Sequence, residues 1–181
     1  VVDEVKPTVL IGCSTVKGAF TESIVKSMAK HTDHPIIFPL SNPTSLAEAT
    51  PEDLIKWTSG KVIVATGSPF DPVEHDGEFI RISQCNNAFV FPGLGLGVLV
   101  SEAKMVTDNM IAAASDALSD YSPARKDPSA PVLPSFDNIH EISQYIALKV
   151  AEQAIKDGVN GCDKSLDIQA AIQALIIDKG N

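Results

Sequence analysis

Cys85-Asn-Asn-Ala-Phe-Val-Phe-Pro-Gly-Leu-Gly-Leu-Gly-Val-Leu-Val100 is the stretch on which the fold turns. An apolar run of strand type, Asn87-Ala-Phe-Val-Phe91, meets Gly93, Gly95 and Gly97, and a second apolar run follows. A strand, a glycine turn and a helix are the layout of a dinucleotide-binding unit. The spacing does not complete the fingerprint. G-x-G-x-x-G requires a third glycine at position 98, where Val98 stands, and no short βαβ unit with a ribose-binding acid follows. The alternative use of the glycines is close packing where a helix leaves a strand.

Upstream, the pattern alternates. Thr8-Val-Leu-Ile-Gly12 reads as a strand covered on both faces, and a helix runs to Lys30 with Ile24, Val25, Met28 and Ala29 as its buried stripe. Pro35-Ile-Ile-Phe-Pro-Leu40 is a second strand, and Ser41-Asn-Pro-Thr-Ser45 a turn. Thr50-Pro51-Glu52-Asp53 starts a helix: Thr50 caps, Pro51 suits the first helical position, and the acids face the positive end. Leu54, Ile55 and Trp57 give its apolar side and Gly60 stops it. A third strand over 61–66 ends in Gly67-Ser68-Pro69, and Gly77 turns a hairpin into a strand over 78–82. This β-α-β-α-β order predicts an α/β fold, a partial Rossmann-like parallel sheet flanked by helices, with a helical C-terminal tail.

After residue 97 the character changes. A helix is expected over 98–118, with Met105, Val106, Met110, Ile111 and Ala114 along one side. Pro123, Pro128, Pro131 and Pro134 make 119–136 an extended crossing loop. Asn138-Ile-His-Glu141 is a capping signature for a helix carrying Ile142, Ile146, Val150 and Ala154 and stopping at Gly158. A last helix is expected over 165–177. The expected division is 1–97 for the later strands and helices of a nucleotide-binding domain, and 98–181 for the helical continuation.

With 44% hydrophobic and 20% charged residues, the 181-residue chain can build a core, so disorder is excluded. Lys and Arg number 14 against 23 Asp and Glu, a net charge of −9, which argues against a nucleic-acid partner. No apolar run approaches the roughly 20 residues of a membrane helix, and no signal peptide is visible. Cys13, Cys85 and Cys162 lie far apart, with neither disulfide nor zinc spacing, which fits a reducing cytoplasm. The first residue is Val rather than Met, so a trimmed, processed or fragmentary chain is among the expectations.

In an open parallel sheet, ligands bind beyond the carboxyl ends of the strands. Those ends carry Gly12-Cys13-Ser14, Ser41-Asn42, Gly67-Ser68 and Phe91-Pro92-Gly93. Such residues allow close backbone approach and offer neutral hydrogen-bonding groups, as a nucleotide requires; they are equally ordinary turn formers. Asn86 and Asn87 offer two adjacent amides that suit a carboxylate or hydroxyl of a small acid, or cap a strand or turn. His31 and His34, three apart, lack a third ligand and read as a solvated helix end; Asp33, Asp71 and Asp76 follow no metal pattern. Ser14 and Ser41 lack a nucleophile-elbow context, and no residue stands out as a general acid or base.

Several stretches together carry a family resemblance: "IGCSTVKGAFTESIVKSMA", "HPIIFPLSNPTSLAEATPEDLIKWTSGKVIVATGSPFDPV", "QCNNAFVFPGLGLGVLVSEAKMVTDNMIAAASDAL" and "VLPSFDNIHEISQYIALKVAEQAI". In this order and spacing they resemble the malic enzyme family over about 8–158, and "AEATPEDLIKWTSGK" also looks like its malolactic branch. The resemblance implies the carboxyl-terminal portion of the NAD(P) domain of a much longer enzyme. Its glycine-rich phosphate turn, catalytic Tyr and Lys, substrate-binding Arg and Glu/Asp metal ligands would lie upstream, so no catalytic or metal-ligating residue is expected in this chain. The chain alone is expected to be inactive. The implied reaction is oxidation of malate by NAD (NADP possible), with decarboxylation to pyruvate assisted by Mn or Mg; a malolactic enzyme would keep NAD bound and release lactate.

By the family pattern Asn42 would contact nicotinamide ribose and substrate, and Asn87 with Asn86 would hold malate. Gly12, Cys13, Ser14, Ser41, Asn42, Gly67, Ser68 and Asn86 would line the cofactor cleft. Cys85 departs from the pattern, where a small residue, usually Gly, is expected. The family forms dimers and tetramers, which implies a homo-oligomer. Two other readings stand beside this one: a non-catalytic nucleotide-binding module, and a different dehydrogenase with a similar half-sheet.

Overall fold

The computed structural model describes residues 1–177, and the chain divides into two compact units. The first comprises 1–86 and 122–134, the second 87–121 and the residues from 135 onward. Each is built around its own apolar core.

The first unit holds a short helix α1 (Val2–Val5), strand β1 (Val9–Gly12), helix α2 (Glu22–Ala29), strand β2 (Ile36–Pro39), helix α3 (Pro51–Trp57) and strand β3 (Ile63–Thr66). Strands β4 (Val73–His75), β5 (Glu78–Ile80) and β6 (Ser83–Gln84) follow. β1, β2, β3 and β6 lie side by side in that order and every pair is parallel, with Val9 opposite Ile36, Ile36 opposite Ile63, and Ala65 opposite Ser83. The core gathers Val25 and Met28 of α2, Leu54 and Ile55 of α3, and Ile37, Val64 and Ile82.

The local signals act as expected at three places. The Thr50 hydroxyl accepts from the Asp53 amide at 3.2 Å and Pro51 opens α3. Gly60 ends that segment at φ +78°. Asp76 and Gly77, at φ +52° and +83°, make the two-residue turn that joins antiparallel β4 and β5.

Two expectations are corrected here. β1 is not covered on both faces: Val9 and Ile11, two residues apart and so on one face, are 44% and 57% exposed, and β1 is an edge strand paired only with β2 among the described residues. Its apolar run alone does not tell an edge from a centre. Residues 78–82 do not form one strand either. β5 ends at Ile80, and the chain then enters the parallel sheet as the two-residue β6.

The second unit holds α4 (Phe91–Ser101), α5 (Asp108–Asp120), α6 (Ile139–Lys156) and α7 (Ile168–Ile177). Asn87–Phe89 is a 3-10 turn, so the strand expected over 87–91 is absent and Asn86-Asn87 follows a strand instead of preceding one. The apolar run 89–100 has neither period, and Pro92 in the first turn of α4 starts a helix there. The single helix expected over 98–118 is two: Glu102 at φ +50° ends α4, and Thr107 caps α5 by accepting from the Met110 amide at 3.1 Å. The Asn138 side chain makes no cap bond; Ser135 caps the 3-10 turn Phe136–Asn138 that feeds α6.

Packing in this unit rests on small residues. Gly93 and Gly97 of α4 lie against Ile146 and Val150 of α6, while Ala114 and Ala117 of α5 join Ile142 and Ala154 in the core. Phe89 stacks on Phe136 with ring centroids 4.2 Å apart. No helix among the described residues is long and apolar enough to cross a membrane.

Candidate functional site: the strand-end turns of the parallel sheet

The parallel ladder continues past the strand ends. Leu40 N–H donates to Gly12 O at 2.8 Å, Gly67 N–H to Pro39 O at 3.3 Å, and Cys85 N–H to Thr66 O at 2.8 Å. The turns after β1, β2, β3 and β6 therefore sit in sequence along one sheet edge. This brings together Gly12, Cys13, Ser14, Ser41, Asn42, Gly67 and Ser68, with Asn86 two residues past β6. Asn87 opens the second unit, and its carbonyl accepts from the Val90 amide at 3.0 Å.

Side chains tie neighbouring turns together. Between β2 and β3, Ser68 Oγ donates to Asn42 Oδ1. Between β3 and β6, Gln84 Nε2 donates to Gly67 O at 3.4 Å. Thr66 Oγ1 donates to Ser68 O at 2.8 Å and steadies the β3 turn from within. Gly67 leaves no space for a side chain: an added Cβ would stand 2.2 Å from Leu40 O. The Asn42–Pro43 peptide is cis.

Between β1 and β2 the tie is Glu48, which the sequence reading passed over. It is 0% exposed and stands between the 3-10 turn Thr44–Leu46 and α3. Its Oε1 accepts from Ser14 N–H at 2.7 Å, from Ser14 Oγ at 2.9 Å and from Ser41 Oγ; its Oε2 accepts from Ser41 N–H at 3.4 Å. Burial on its own would push this carboxyl up, but the donors of Ser41 and Ser14 outweigh it and hold the group down at about 2. The only trace in sequence is that the flanking Ala47 and Ala49 are small, and both are buried.

Cys13 is exposed and Cys85 half-buried; burial, with Cys13 nearby, pushes the Cys85 thiol up. Among the described residues no group of three or more His, Cys, Asp or Glu is placed to hold an ion, at His31 and His34 or elsewhere. A cavity of about 610 Å³ lies elsewhere, between the start of α3 and the β4–β5 hairpin, lined by Glu52, Asp71, Glu74 and Asp76. Those carboxylates have the wrong sign for a phosphate. The strand-end turns offer backbone groups, hydroxyls and amides, and the carboxylate that reaches them, Glu48, already accepts from Ser14 and Ser41.

That donor set has the chemistry a dinucleotide requires. The family model described as malic enzyme, NAD binding domain, matches residues 1–155. NAD-dependent malic enzymes of Shewanella sp. (strain MR-4) and Acinetobacter baylyi are 56% identical over 160 residues and 54% identical over 159. Each match covers 88% of this chain and 28% of the relative. The crystal structure of Entamoeba histolytica malic enzyme superposes with a TM-score of 0.77 at 33% identity, covering 96% of this chain and 32% of that one. For malic enzyme from Pyrococcus horikoshii the TM-score is 0.72 at 29% identity, covering 94% and 34%. The chain thus spans under a third of the length of the curated relatives it matches. It belongs to the malic enzyme family, in that family's NAD-binding domain.

Proposed function

We propose that the chain is the carboxyl-terminal portion of the NAD(P) domain of an enzyme that oxidises L-malate and decarboxylates it to pyruvate, with NAD as the dinucleotide. The observation that carries this reading is the row of tied turns at the sheet edge, in a chain whose family domain binds NAD. Bound NAD would supply the hydride acceptor, and a divalent Mn or Mg held by residues outside this chain would supply the Lewis acid for decarboxylation.

The residues of this chain bind and orient. Gly12, Cys13, Ser14, Ser41, Gly67 and Ser68 offer backbone and hydroxyl groups to the cofactor. The Asn42 amide oxygen accepts from Ser68 Oγ, which orients the carboxamide so that its nitrogen can donate to ribose or substrate. Asn86 and Asn87 hold the malate carboxylate or hydroxyl, and Asn86 also borders the cofactor. Proton movement belongs to residues outside this chain, so the chain alone is inactive. The working enzyme is a cytoplasmic homo-oligomer, a dimer or tetramer.

The intact protein, given malate, NAD and Mn(II), is expected to yield NADH and pyruvate. Lactate without free NADH would place it in the malolactic branch that "AEATPEDLIKWTSGK" resembles. Formation of none of the three overturns the reading.

A further inference from the structure

We propose that Glu48 is a positioning residue for the dinucleotide: its buried carboxylate clamps the turn after β1 to the turn after β2 and so sets the spacing of the groups these turns present. This rests on the functional reading above for what binds there, but the clamp itself stands on geometry. Glu48 comes from neither turn. It reaches back from the segment before α3 and takes donors from both Ser14 and Ser41. Ser41 Oγ, which donates to Glu48, accepts in turn from Thr15 N–H at 2.8 Å, and Ser14 Oγ accepts from Val16 N–H at 3.2 Å. One carboxylate thereby organises the backbone of Ser14, Thr15 and Val16.

The sequence around the clamp is built to admit it. An added Cβ at Gly12 would stand 2.6 Å from Glu48 Cδ and 2.8 Å from Cγ and Oε2, so glycine is what lets the carboxyl group lie across the end of β1. The backbone of Glu48 is anchored as well: its carbonyl accepts from Phe20 N–H at 3.0 Å, and the Ala47 carbonyl from Gly18 N–H at 3.3 Å. The loop 13–20 is thus held at both ends by the 47–48 segment. No cation approaches within ion-pair distance of Glu48 among the described residues. Its charge is carried by amide and hydroxyl donors alone. A buried charge is costly in such surroundings unless every donor is aligned, which makes the spacing of the two turns stiff.

Only donors face this carboxylate, and a glutamine in its place turns one acceptor into a donor against them. In the intact protein, Glu48→Gln is expected to weaken NADH binding, read by the fluorescence of the bound cofactor, about 10-fold. KM for NAD rises in parallel while kcat stays within about twofold, because the clamp acts on binding common to ground and transition states. Amide exchange at Ser14 and Thr15 is expected to speed up by a similar factor. Thr50→Ala loosens the same segment at the α3 cap without touching either turn, and is expected to lower stability yet leave NADH affinity and those amides unchanged. If Glu48→Gln does not fold, Gly12→Ala takes its place, since it keeps the charge but crowds the carboxyl group aside.

The proposal is overturned if the variant binds NADH as the parent does, or if kcat alone falls, or if Thr50→Ala reproduces the whole effect. Absence of NADH binding by the unmutated protein defeats the functional reading instead. The exchange rates of Ser14 and Thr15 then still decide whether Glu48 clamps the turns.

Discussion

The three glycines of α4 look alike in sequence, but alanine should act on them in opposite directions. Gly93 and Gly97 are four residues apart and face α6. A Cβ at Gly93 would stand 2.6 Å from both Ile146 Cβ and Ser143 O, and one at Gly97 2.7 Å from Val150 Cβ and 2.8 Å from Ala147 O. Ordinary carbon contacts lie at about 3.5–4.0 Å, so α4 and α6 would have to part by roughly 1 Å. The obstructing atoms are backbone carbonyls and the branch points of β-branched side chains, which cannot swing away. With backbone and branch-point atoms both in the way, the overpacking cost lies at the upper end of about 1–3 kcal/mol, and the better helix propensity of alanine returns about 1, leaving a net loss of about 2 kcal/mol. Gly95 is exposed with nothing within 4 Å of its added Cβ, so Gly95→Ala keeps the full propensity gain of about 0.5–1 kcal/mol.

Calorimetry of the protein at one pH reads both signs. For a chain of this size 1 kcal/mol shifts Tm by roughly 2–4 °C, so Gly95→Ala should rise by about 1–4 °C and Gly97→Ala fall by about 4–8 °C. Gly93→Ala should behave as Gly97→Ala. A Gly95→Ala variant that loses as much as Gly97→Ala, or a Gly97→Ala variant with unchanged Tm, would refute the packing argument. Lost NADH affinity confined to Gly95→Ala would return these glycines to a phosphate-binding role.

Three further outcomes are expected. Asn42→Ala and Asn87→Ala in the intact enzyme should each lower kcat/KM for malate by the worth of one hydrogen bond, about 1–3 kcal/mol; unchanged kinetics would remove that residue from the site. The Glu48 carboxyl is held at about 2 against an ordinary 4.5, so its stabilising effect is complete above 4.5 and is lost as pH falls towards 2. Acid denaturation curves of the parent and of Glu48→Gln should therefore converge across that window, and parallel curves would contradict the assignment. Gly67→Ala forces a Cβ to within 2.2 Å of the Leu40 carbonyl and should destabilise the protein by about 1–3 kcal/mol, read in urea; a neutral result would mean that β2 and β3 part freely at their ends.

Much of the first unit was legible because its signals are local. Thr50-Pro51 starts a helix, Gly60 stops one and Asp76-Gly77 turns a hairpin, each for a reason contained in a few residues. The stretch 85–100 was not legible as a helix. A continuous apolar run has no period, and what decides it is the fit of Gly93 and Gly97 against residues some fifty positions later. The break at 102–107 hangs on a left-handed Glu102, a conformation to which no glycine draws attention. At the site, turn composition pointed to the strand ends, since Gly, Ser and Asn advertise themselves there. The ties between turns were hidden: they arise from the parallel register, and Glu48 acts 34 residues from Ser14 with nothing but two alanines beside it to mark it.

The bare side of β1 bears on how such a chain behaves in solution. Val9 and Ile11 stand exposed along an edge whose backbone has no second neighbour among the described residues. Proteins usually blunt such an edge with charge, bulges or proline. Here Lys6 and Pro7 guard only its entrance, and the strand itself carries no gatekeeper between Val9 and Gly12. An edge of this composition favours strand addition between copies of the chain, so light scattering of a concentrated preparation is expected to rise before circular dichroism shows any loss of fold.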